Sequence, residues 1–307
     1  LPFDMTAFAR SALPVLNVLG YVVMMFAATL LVPLGFAIIG DDGGQRSFNI
    51  ALFATAGCGL VLMLATRRFT RELQTRDGFL LVTLAWTVLP ALATLPLMLQ
   101  LPNLDFTDAY FETMSGLTTS GATVLTGLDQ LPLSINVWRC LLVWLGGMGI
   151  LVLAVAILPL LGVGGAQAFK AETAGPMKDT KLTPRIAETA RALWLVYVGL
   201  NAACALSYWL GGMTLFDAIG HAFSTVATGG FSTHDASIGH YDSPLLEALC
   251  ILFMFLASRG FSSPRSLVLT KRSAHLRGAL VLGCACSHAS SSAATTSRCA
   301  ASCRGSW

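Results

Sequence analysis

FTDAYFETMSGLTTSGAT, at residues 106–123, and LFDAIGHAFSTVATGGFS, at residues 215–232, are two copies of one pattern. They align without a gap at a constant offset of 109 residues, since position 106 meets position 215. Each copy begins as a weakly apolar stretch of helical length and ends in Gly, Thr and Ser. The identical residues are Asp108, Ala109, Ser115, Thr119 and Gly121 in the first copy, and Asp217, Ala218, Ser224, Thr228 and Gly230 in the second. This duplication predicts repeated structural units packed around a common axis.

The composition around these copies is that of a membrane protein. Hydrophobic residues make up 55% of the 307 residues and charged residues only 11%, whereas soluble domains carry about a quarter charged residues. Five apolar runs approach or exceed the length of about 20 residues that a helix needs to cross a bilayer, and a sixth, at residues 245–257, is too short. The five runs cover residues 11–39, 48–66, 78–100, 137–161 and 192–210. The sequence therefore predicts an all-α polytopic membrane protein and excludes an ordinary soluble enzyme.

The distribution of charge predicts the orientation of the chain. Residues 101–136 and 211–244, which hold the two copies, contain no Lys or Arg but seven acidic residues. Two other connections are basic, and they contain Arg67, Arg68, Arg71, Arg76, Lys170, Lys178, Lys181, Arg185 and Arg191. Because short cytoplasmic loops of membrane proteins are rich in Lys and Arg, the basic connections are predicted to face the cytoplasm and the two copies to face outside.

The residue types in the two copies suit ion selection. A selective pore replaces the hydration shell of a cation with oxygen atoms, and the backbone carbonyls of a returning segment can supply them. Gly121 and Gly230 would keep such a passage free of side chains. Asp108 and Asp217 fall where helix N-caps are expected, and their charge would attract cations. The alternative is an external loop that ends a helix at a glycine, but two copies in register favour a pore.

Several motifs together resemble the Trk/Ktr/HKT superfamily of potassium transporters, most closely its bacterial Trk branch. They are RDGFL at residues 76–80, SGLTTSGATVL at 115–125, WLGGMGI at 144–150, AVAILPLLGVGG at 154–165, PRIAETA at 184–190 and DAIGHAFSTVATGGFSTHDASIG at 217–239. The resemblance implies four units of span, pore helix, filter loop and span after two extra spans, with a filter built from four loops. This chain holds two of those loops. The implied filter residues are Thr118, Thr119, Ser120, Gly121, Ala227, Thr228, Gly229 and Gly230, with potassium near the carbonyls of Thr119, Ser120, Thr228 and Gly229.

The same resemblance implies a potassium uptake subunit of the bacterial inner membrane, with potassium as its substrate and no covalently bound cofactor. It further implies a homodimer surrounded by membrane lipid, and a cytoplasmic TrkA-like nucleotide-binding regulatory subunit that contacts the basic loop at residues 170–191. No nucleic-acid partner is expected. The alternative is a non-conducting truncated product, or an assembly partner of such a transporter, because two filter loops alone do not complete a four-loop ring.

The resemblance also divides the chain into segments. It implies two extra N-terminal transmembrane helices in residues 5–75, a first pore repeat in 76–170 and a second in 171–257, whose last span is incomplete. The sequence then changes character, because no acidic residue follows Glu247 and Ser, Ala and Cys dominate residues 284–303. A segment without an apolar period favours an out-of-frame or disordered tail over residues 258–307.

Two groups of residues could bind a metal other than potassium. Cys284, Cys286, His288, Cys299 and Cys303 have no strong zinc spacing. His221, His234, Asp235 and His240 are scattered in a segment predicted to be an external loop, where such residues are most often ordinary loop residues. The sequence therefore favours potassium as the only metal. It contains no recognisable set of nucleophile, base and orienting group, so an enzyme is not predicted.

Overall fold

A computed structural model of the chain describes residues 5–69, 75–157 and 182–262. The helices are α1 (Met5–Thr29), α2 (Leu31–Gly40), α3 (Gln45–Thr66), α4 (Thr75–Gln100), α5 (Phe106–Leu117), α6 (Leu133–Ile157), α7 (Leu182–Leu210), α8 (Leu215–Val226) and α9 (Pro244–Ser262). Two short 3-10 helices, Leu128–Gln130 and Ser237–Tyr241, lie in the connections. These three ranges contain no β-strand, and the predicted all-α fold is confirmed.

The first apolar run was predicted as one span, but it forms α1 and α2, which are divided at Leu30. Pro33 has no N–H to donate to the carbonyl of Thr29, so one hydrogen bond of a continuous helix is missing there. The break is slight, because Leu30 keeps helical dihedral angles (φ −64°, ψ −17°) and its carbonyl still accepts a bond from the N–H of Leu34 at 3.1 Å.

Each copy of the sequence repeat folds as a short helix between two longer ones. The 12-residue helix α5 packs against α4 and α6, and the 12-residue helix α8 packs against α7 and α9. After each short helix the chain returns, in irregular conformation apart from the 3-10 turns, to the next long helix. Both short helices also contact α6, which therefore lies between the two units.

Four segments are long and apolar enough to cross a membrane: Ala12–Gly40, Gln45–Thr66, Asp77–Gln100 and Arg191–Leu210. They match four of the five predicted runs, and α6 covers most of the fifth. Large apolar side chains such as Met25, Phe53 and Leu210 lie exposed on the surface of these helices. A lipid-facing surface explains this exposure, since hydrocarbon is as apolar as these side chains.

The end of the sixth run differs from the sequence prediction. The helix α9 continues through Ser258, Arg259 and Gly260 to Ser262, five residues beyond the predicted stop at Ala257. The remaining part of the predicted tail, including its cysteines, lies outside the described residues. So does most of the basic loop at residues 170–191.

A buried aromatic cluster fixes the position of α6 against the first helices. The indole of Trp138 is fully buried, and it lies 5.7 Å from the ring of Phe26 and 6.4 Å from that of Phe48, between centroids. Its Nε1–H donates to the carbonyl of Ala93 at 3.1 Å. The helix that backs both repeats is thus anchored to α1, α3 and α4.

Candidate functional site

The two predicted filter loops have the same backbone hydrogen bonds. After α5, the N–H groups of Thr118, Thr119 and Ser120 donate to the carbonyls of Met114, Gly116 and Ser115, respectively. After α8, the N–H groups of Ala227, Thr228 and Gly229 donate to the carbonyls of Phe223, Thr225 and Ser224. Every donor and acceptor in the second set lies 109 positions after its counterpart in the first set. The duplicated sequence therefore folds into a duplicated local structure.

The loops also share unusual backbone angles. Thr119 and Thr228 have φ angles of 57° and 53°, and Gly121 and Gly230 have φ angles of 75° and 90°. A positive φ is a rare conformation for a β-branched residue such as threonine, and it costs free energy. Backbone strain of this kind clusters at functional sites, so its presence at equivalent positions of two repeats makes these loops a candidate site.

The two loops contact each other at their glycines. A Cβ atom on Gly121 would lie only 1.8 Å from the carbonyl oxygen of Gly229 and 3.2 Å from the Cα of Gly230. A Cβ on Gly230 would have the Cα of Gly121, at 3.8 Å, as its nearest neighbour. Space and φ both require glycine at position 121, whereas φ alone favours glycine at position 230.

Four carbonyls in the loops are available to a ligand. Within the described part of the chain, the carbonyl oxygens of Thr119, Ser120, Thr228 and Gly229 accept no hydrogen bond. The C-terminal ends of α5 and α8 immediately precede the loops, and helix C-termini carry partial negative charge. The arrangement combines free oxygens with negative helix ends, which favours binding of a cation.

The helix α6 supports both loops from behind. A Cβ on Gly146 would lie 2.0 Å from the carbonyl oxygen of Leu117, and one on Gly147 would lie 2.9 Å from the Cβ of Ala227. The side chain of Val143 packs under Gly229, where an added Cβ would lie 2.4 Å from its Cγ1. Small residues on α6 therefore allow it to touch the start of each predicted filter loop.

A buried ion pair, which the sequence analysis did not identify, joins the two units. Arg139 of α6 donates from Nε to the Glu112 carboxylate of α5 at 2.8 Å, and both side chains are 1% exposed. The same guanidinium donates to the carbonyl of Ser232 at 3.1 Å, and its central carbon lies 4.6 Å from the ring centroid of Phe231. Arg139 thus connects the first short helix to the segment that follows the second loop.

In both units, a side chain of the short helix contacts the segment that follows the loop, but the residue types differ. In the first unit the hydroxyl of Thr123 donates to Glu112 at 2.9 Å, and in the second unit Ser232 Oγ lies 3.1 Å from His221 Nε2. These two pairs occupy equivalent positions, again 109 residues apart. In each unit, a polar residue of the short helix holds the chain two residues beyond the glycine of the predicted filter loop.

The positions of the two predicted capping aspartates need correction. The N-cap residues are Asp105 and Thr214, and Asp108 and Asp217 lie three positions later, in the first turn. Asp217 is held by Thr214, which accepts from the Asp217 N–H at 3.2 Å and donates to its carboxylate at 2.6 Å. The hydroxyl of Thr214 therefore caps the helix, and the Asp217 carboxylate accepts a bond from that same hydroxyl. Asp108 is exposed.

The second candidate metal group is divided by the fold. His221 is buried in α8 and bonds to Ser232, while the Asp235 carboxylate accepts bonds from the N–H groups of Gly127 and Leu128 at 3.1 Å. His234 and His240 do lie together, and Asp129 of the first unit joins them.

The sequence matches a known protein family. Residues 44–276 match the family described as TrkH: Cation transport protein. The chain belongs to this family. It is 51% identical over 253 residues to the Trk system potassium uptake protein TrkH of Salmonella typhimurium, covering 82% of this chain and 52% of that protein. It is 40% identical over 249 residues to TrkG of Escherichia coli, covering 81% of this chain and 51% of that protein.

The crystal structure of the potassium transporter TrkH from Vibrio parahaemolyticus resembles this fold with a TM-score of 0.69 at 47% identity. The match covers 80% of this chain and 48% of that one. The chain therefore spans about half the length of the TrkH relatives it matches. The family match extends to residue 276, past Ala257, where the sequence was predicted to depart from the family.

Membership in the TrkH family also agrees with the inner-membrane location that the sequence resemblance implies. The TrkH relatives are bacterial, and the described residues include four helices that can cross a membrane. Proteins built from such helices occupy the inner membrane, since the outer membrane of these bacteria holds β-barrels. The chain is a multi-pass protein of the bacterial inner membrane.

Proposed function

We propose that this chain is a potassium uptake subunit in which the loops at residues 118–121 and 227–230 form part of a potassium-selective filter. The observation that carries the proposal is the shared, strained conformation of the two loops, with their free carbonyls. The matched relatives named above are potassium uptake proteins, and this supports the choice of ion.

In the proposed mechanism, potassium exchanges its hydration shell for backbone oxygens. The ligands are the carbonyls of Thr119 and Ser120 from the first loop and of Thr228 and Gly229 from the second. The helix ends of α5 and α8 add negative charge, while α6 keeps the loops at a fixed spacing. Transport needs no chemical step, so the proposed function includes neither enzymatic catalysis nor a covalently bound cofactor.

The proposal keeps the segments inferred from sequence. Residues 5–75 hold the two extra spans, the first formed by α1 and α2 and the second by α3, residues 76–170 and 171–257 are two pore repeats, and residues 258–307 follow them in the sequence. A ring of four loops needs two more loops than the described residues contain. A homodimer, and a TrkA-like regulatory subunit at the basic loop 170–191, are the proposed partners.

A second candidate function is that of a non-conducting assembly partner. It is suggested by the described residues, which contain two of the four loops that a closed ring requires. In that case, the two loops would be correctly folded but would not enclose a pore.

Potassium-limited growth of an uptake-deficient bacterial strain separates these functions. Two genes are expressed separately in this strain. The first encodes the 307-residue chain. The second encodes residues 1–257 of this chain joined to the C-terminal half of V. parahaemolyticus TrkH. Growth with the joined protein alone would support the filter and show that the 307-residue chain does not conduct by itself. Growth with each gene expressed by itself would support potassium uptake by the 307-residue chain. A joined protein that reaches the membrane at normal abundance but takes up no rubidium would contradict the proposed filter.

The proposed orientation can be tested on two exposed residues. Ser237 is expected to face outside and Arg68 to face the cytoplasm. In intact spheroplasts, a membrane-impermeant maleimide should label Ser237→Cys and leave Arg68→Cys unlabelled, above the background of the native cysteines. The reverse pattern would show that the orientation is inverted.

A further inference from the structure

Three potential metal ligands meet where the outer segments of the two units touch. Asp129 lies in the 3-10 helix of the first unit, and His234 and His240 follow the second filter loop. One ligand atom from each of the three residues lies within 4.8 Å of the other two. His234 Nδ1 contacts the Asp129 carboxylate, and the rings of His234 and His240 are parallel with centroids 3.8 Å apart.

We propose that Asp129, His234 and His240 form a binding site for a zinc-class divalent cation that links the two units. Two imidazole nitrogens and one carboxylate oxygen are a typical ligand set for Zn²⁺, and water completes the tetrahedron in open sites. Mg²⁺ and Ca²⁺ prefer oxygen ligands throughout, so this set discriminates against them. The site is independent of the filter and does not require that the chain conduct potassium.

The first unit's ligand is already held in position. The N–H of Asp235 lies 3.4 Å from Asp129 Oδ2, and the Asp235 carboxylate in turn accepts bonds from Gly127 and Leu128. These reciprocal bonds fix the segment that carries Asp129 against the segment that carries His234. Little additional ordering of the backbone is needed when a metal binds.

The second unit's ligand has the support expected of a metal-binding histidine. His234 Nε2 lies 3.4 Å from the Asp217 carboxylate, on the opposite side of the ring from Asp129. A carboxylate behind a ligating imidazole orients the ring and increases its basicity. Asp217 is itself held by Thr214 and by the hydroxyl of Thr233, which donates to it at 2.6 Å.

Metal entry needs the His240 ring to turn out of its parallel stack on His234, because the nitrogen lone pairs of stacked rings do not converge on one ion. A tetrahedral ion with bonds of about 2.0–2.1 Å brings its ligand atoms to about 3.3 Å from one another. The ion binds His234 Nδ1 in the tautomer that carries its hydrogen on Nε2, where the ring faces the Asp217 carboxylate. His240 is exposed, so its ring is free to turn toward the ion.

Residue-specific protection of His240 tests the proposal on the full chain. Diethyl pyrocarbonate acylates accessible neutral imidazoles, and peptide mass spectrometry measures the rate at each histidine. With free Zn²⁺ at ten times its dissociation constant, acylation of His240 should slow about tenfold, because mass action leaves about one-eleventh of the sites empty. Mg²⁺ at the same concentration should give no protection. Because the readout is specific to His240, zinc bound elsewhere on the chain does not interfere.

Two aspartate variants provide the matched comparison. Asp129→Asn should abolish most of the zinc protection, whereas Asp242→Asn, which changes another exposed carboxylate of the outer segments, should retain it. His240→Ala is an independent check that should reduce the rise in thermal midpoint caused by zinc. The proposal is overturned if zinc fails to protect His240 in the unsubstituted chain. Equal protection in Asp129→Asn, with both proteins monodisperse, would also overturn it.

Discussion

Arg139 and Glu112 form an ion pair 2.8 Å apart inside the protein, although they lie 27 residues apart on different helices. Removing two charges from water costs several kcal/mol, and only good geometry with further hydrogen bonds offsets this cost. The guanidinium has such bonds to the carbonyl of Ser232 and the side chain of Asn136. The pair therefore stabilises the protein only as long as both partners are present.

Replacing one member of this pair should be more damaging than replacing both. Arg139→Met leaves the Glu112 carboxylate buried without a counter-charge, which costs about 3–5 kcal/mol. The double variant Arg139→Met, Glu112→Leu should recover part of that loss, because no unpaired charge remains. Thermal midpoints in detergent would measure both effects. Equal destabilisation in the single and double variants would show that the charge is not the cause.

The contact between α6 and the end of α5 predicts a difference between two glycines. Gly146→Ala should strongly reduce the yield and thermal midpoint, because its Cβ would lie 2.0 Å from the Leu117 carbonyl oxygen. Gly149→Ala, one turn later, has no atom within 4 Å of the added Cβ, and helix propensity should make it neutral or stabilising by about 0.5–1 kcal/mol. Similar midpoints for the two variants would contradict the close contact.

The duplicated loops could be predicted because their information is local. The offset of 109 residues relates both glycines, both threonines and both short helices before any tertiary contact is known. The ion pair could not be predicted in the same way, since the partners of Arg139 lie 27 residues before it and 93 residues after it. The available signal was the charge itself, because an ionisable residue within an apolar run requires a partner.

The capping positions show a smaller limit of sequence reasoning. Asp108 and Asp217 are predicted as N-caps from their position near the start of each short helix, yet the helices begin three residues earlier, after Asp105 and Thr214. Either position satisfies the preference for negative charge at a helix start. The sequence therefore predicts the first turn of each short helix correctly. In the second unit, the hydrogen bonds of Thr214 are needed to identify the N-cap residue.

Asp42 predicts an acid-dependent contribution to stability. Burial by itself raises the pKa of this carboxyl, but hydrogen bonds from Ser134 and Gly44 outweigh it and hold the pKa below 3.8. A lowered pKa in the folded state gives stability that is present above pH 3.8 and is lost as the pH falls through the folded value. Since the group is largely solvated, the contribution should not exceed about 1 kcal/mol.

The measurement for Asp42 is the thermal midpoint at neutral and acidic pH. Asp42→Asn should lower the midpoint at pH 7, and the difference from the unsubstituted chain should shrink below pH 3.8. Asp41→Asn is the matched control, because Asp41 is exposed and its left-handed backbone (φ 45°) suits asparagine. A difference for Asp42→Asn that is unchanged at low pH would rule out this ionisation as its origin.

The selectivity of Gly121→Ser tests the central claim most directly. In the protein joined to the second half of V. parahaemolyticus TrkH, the rubidium-to-sodium uptake ratio should fall at least about tenfold, equivalent to about 1.4 kcal/mol. Gly230→Ser should cause a smaller fall, because only φ opposes a side chain there, and Gly239→Ala, with open space around its Cβ, should cause none. An unchanged ratio in Gly121→Ser, at normal abundance in the membrane, would contradict the assignment of these loops as the filter.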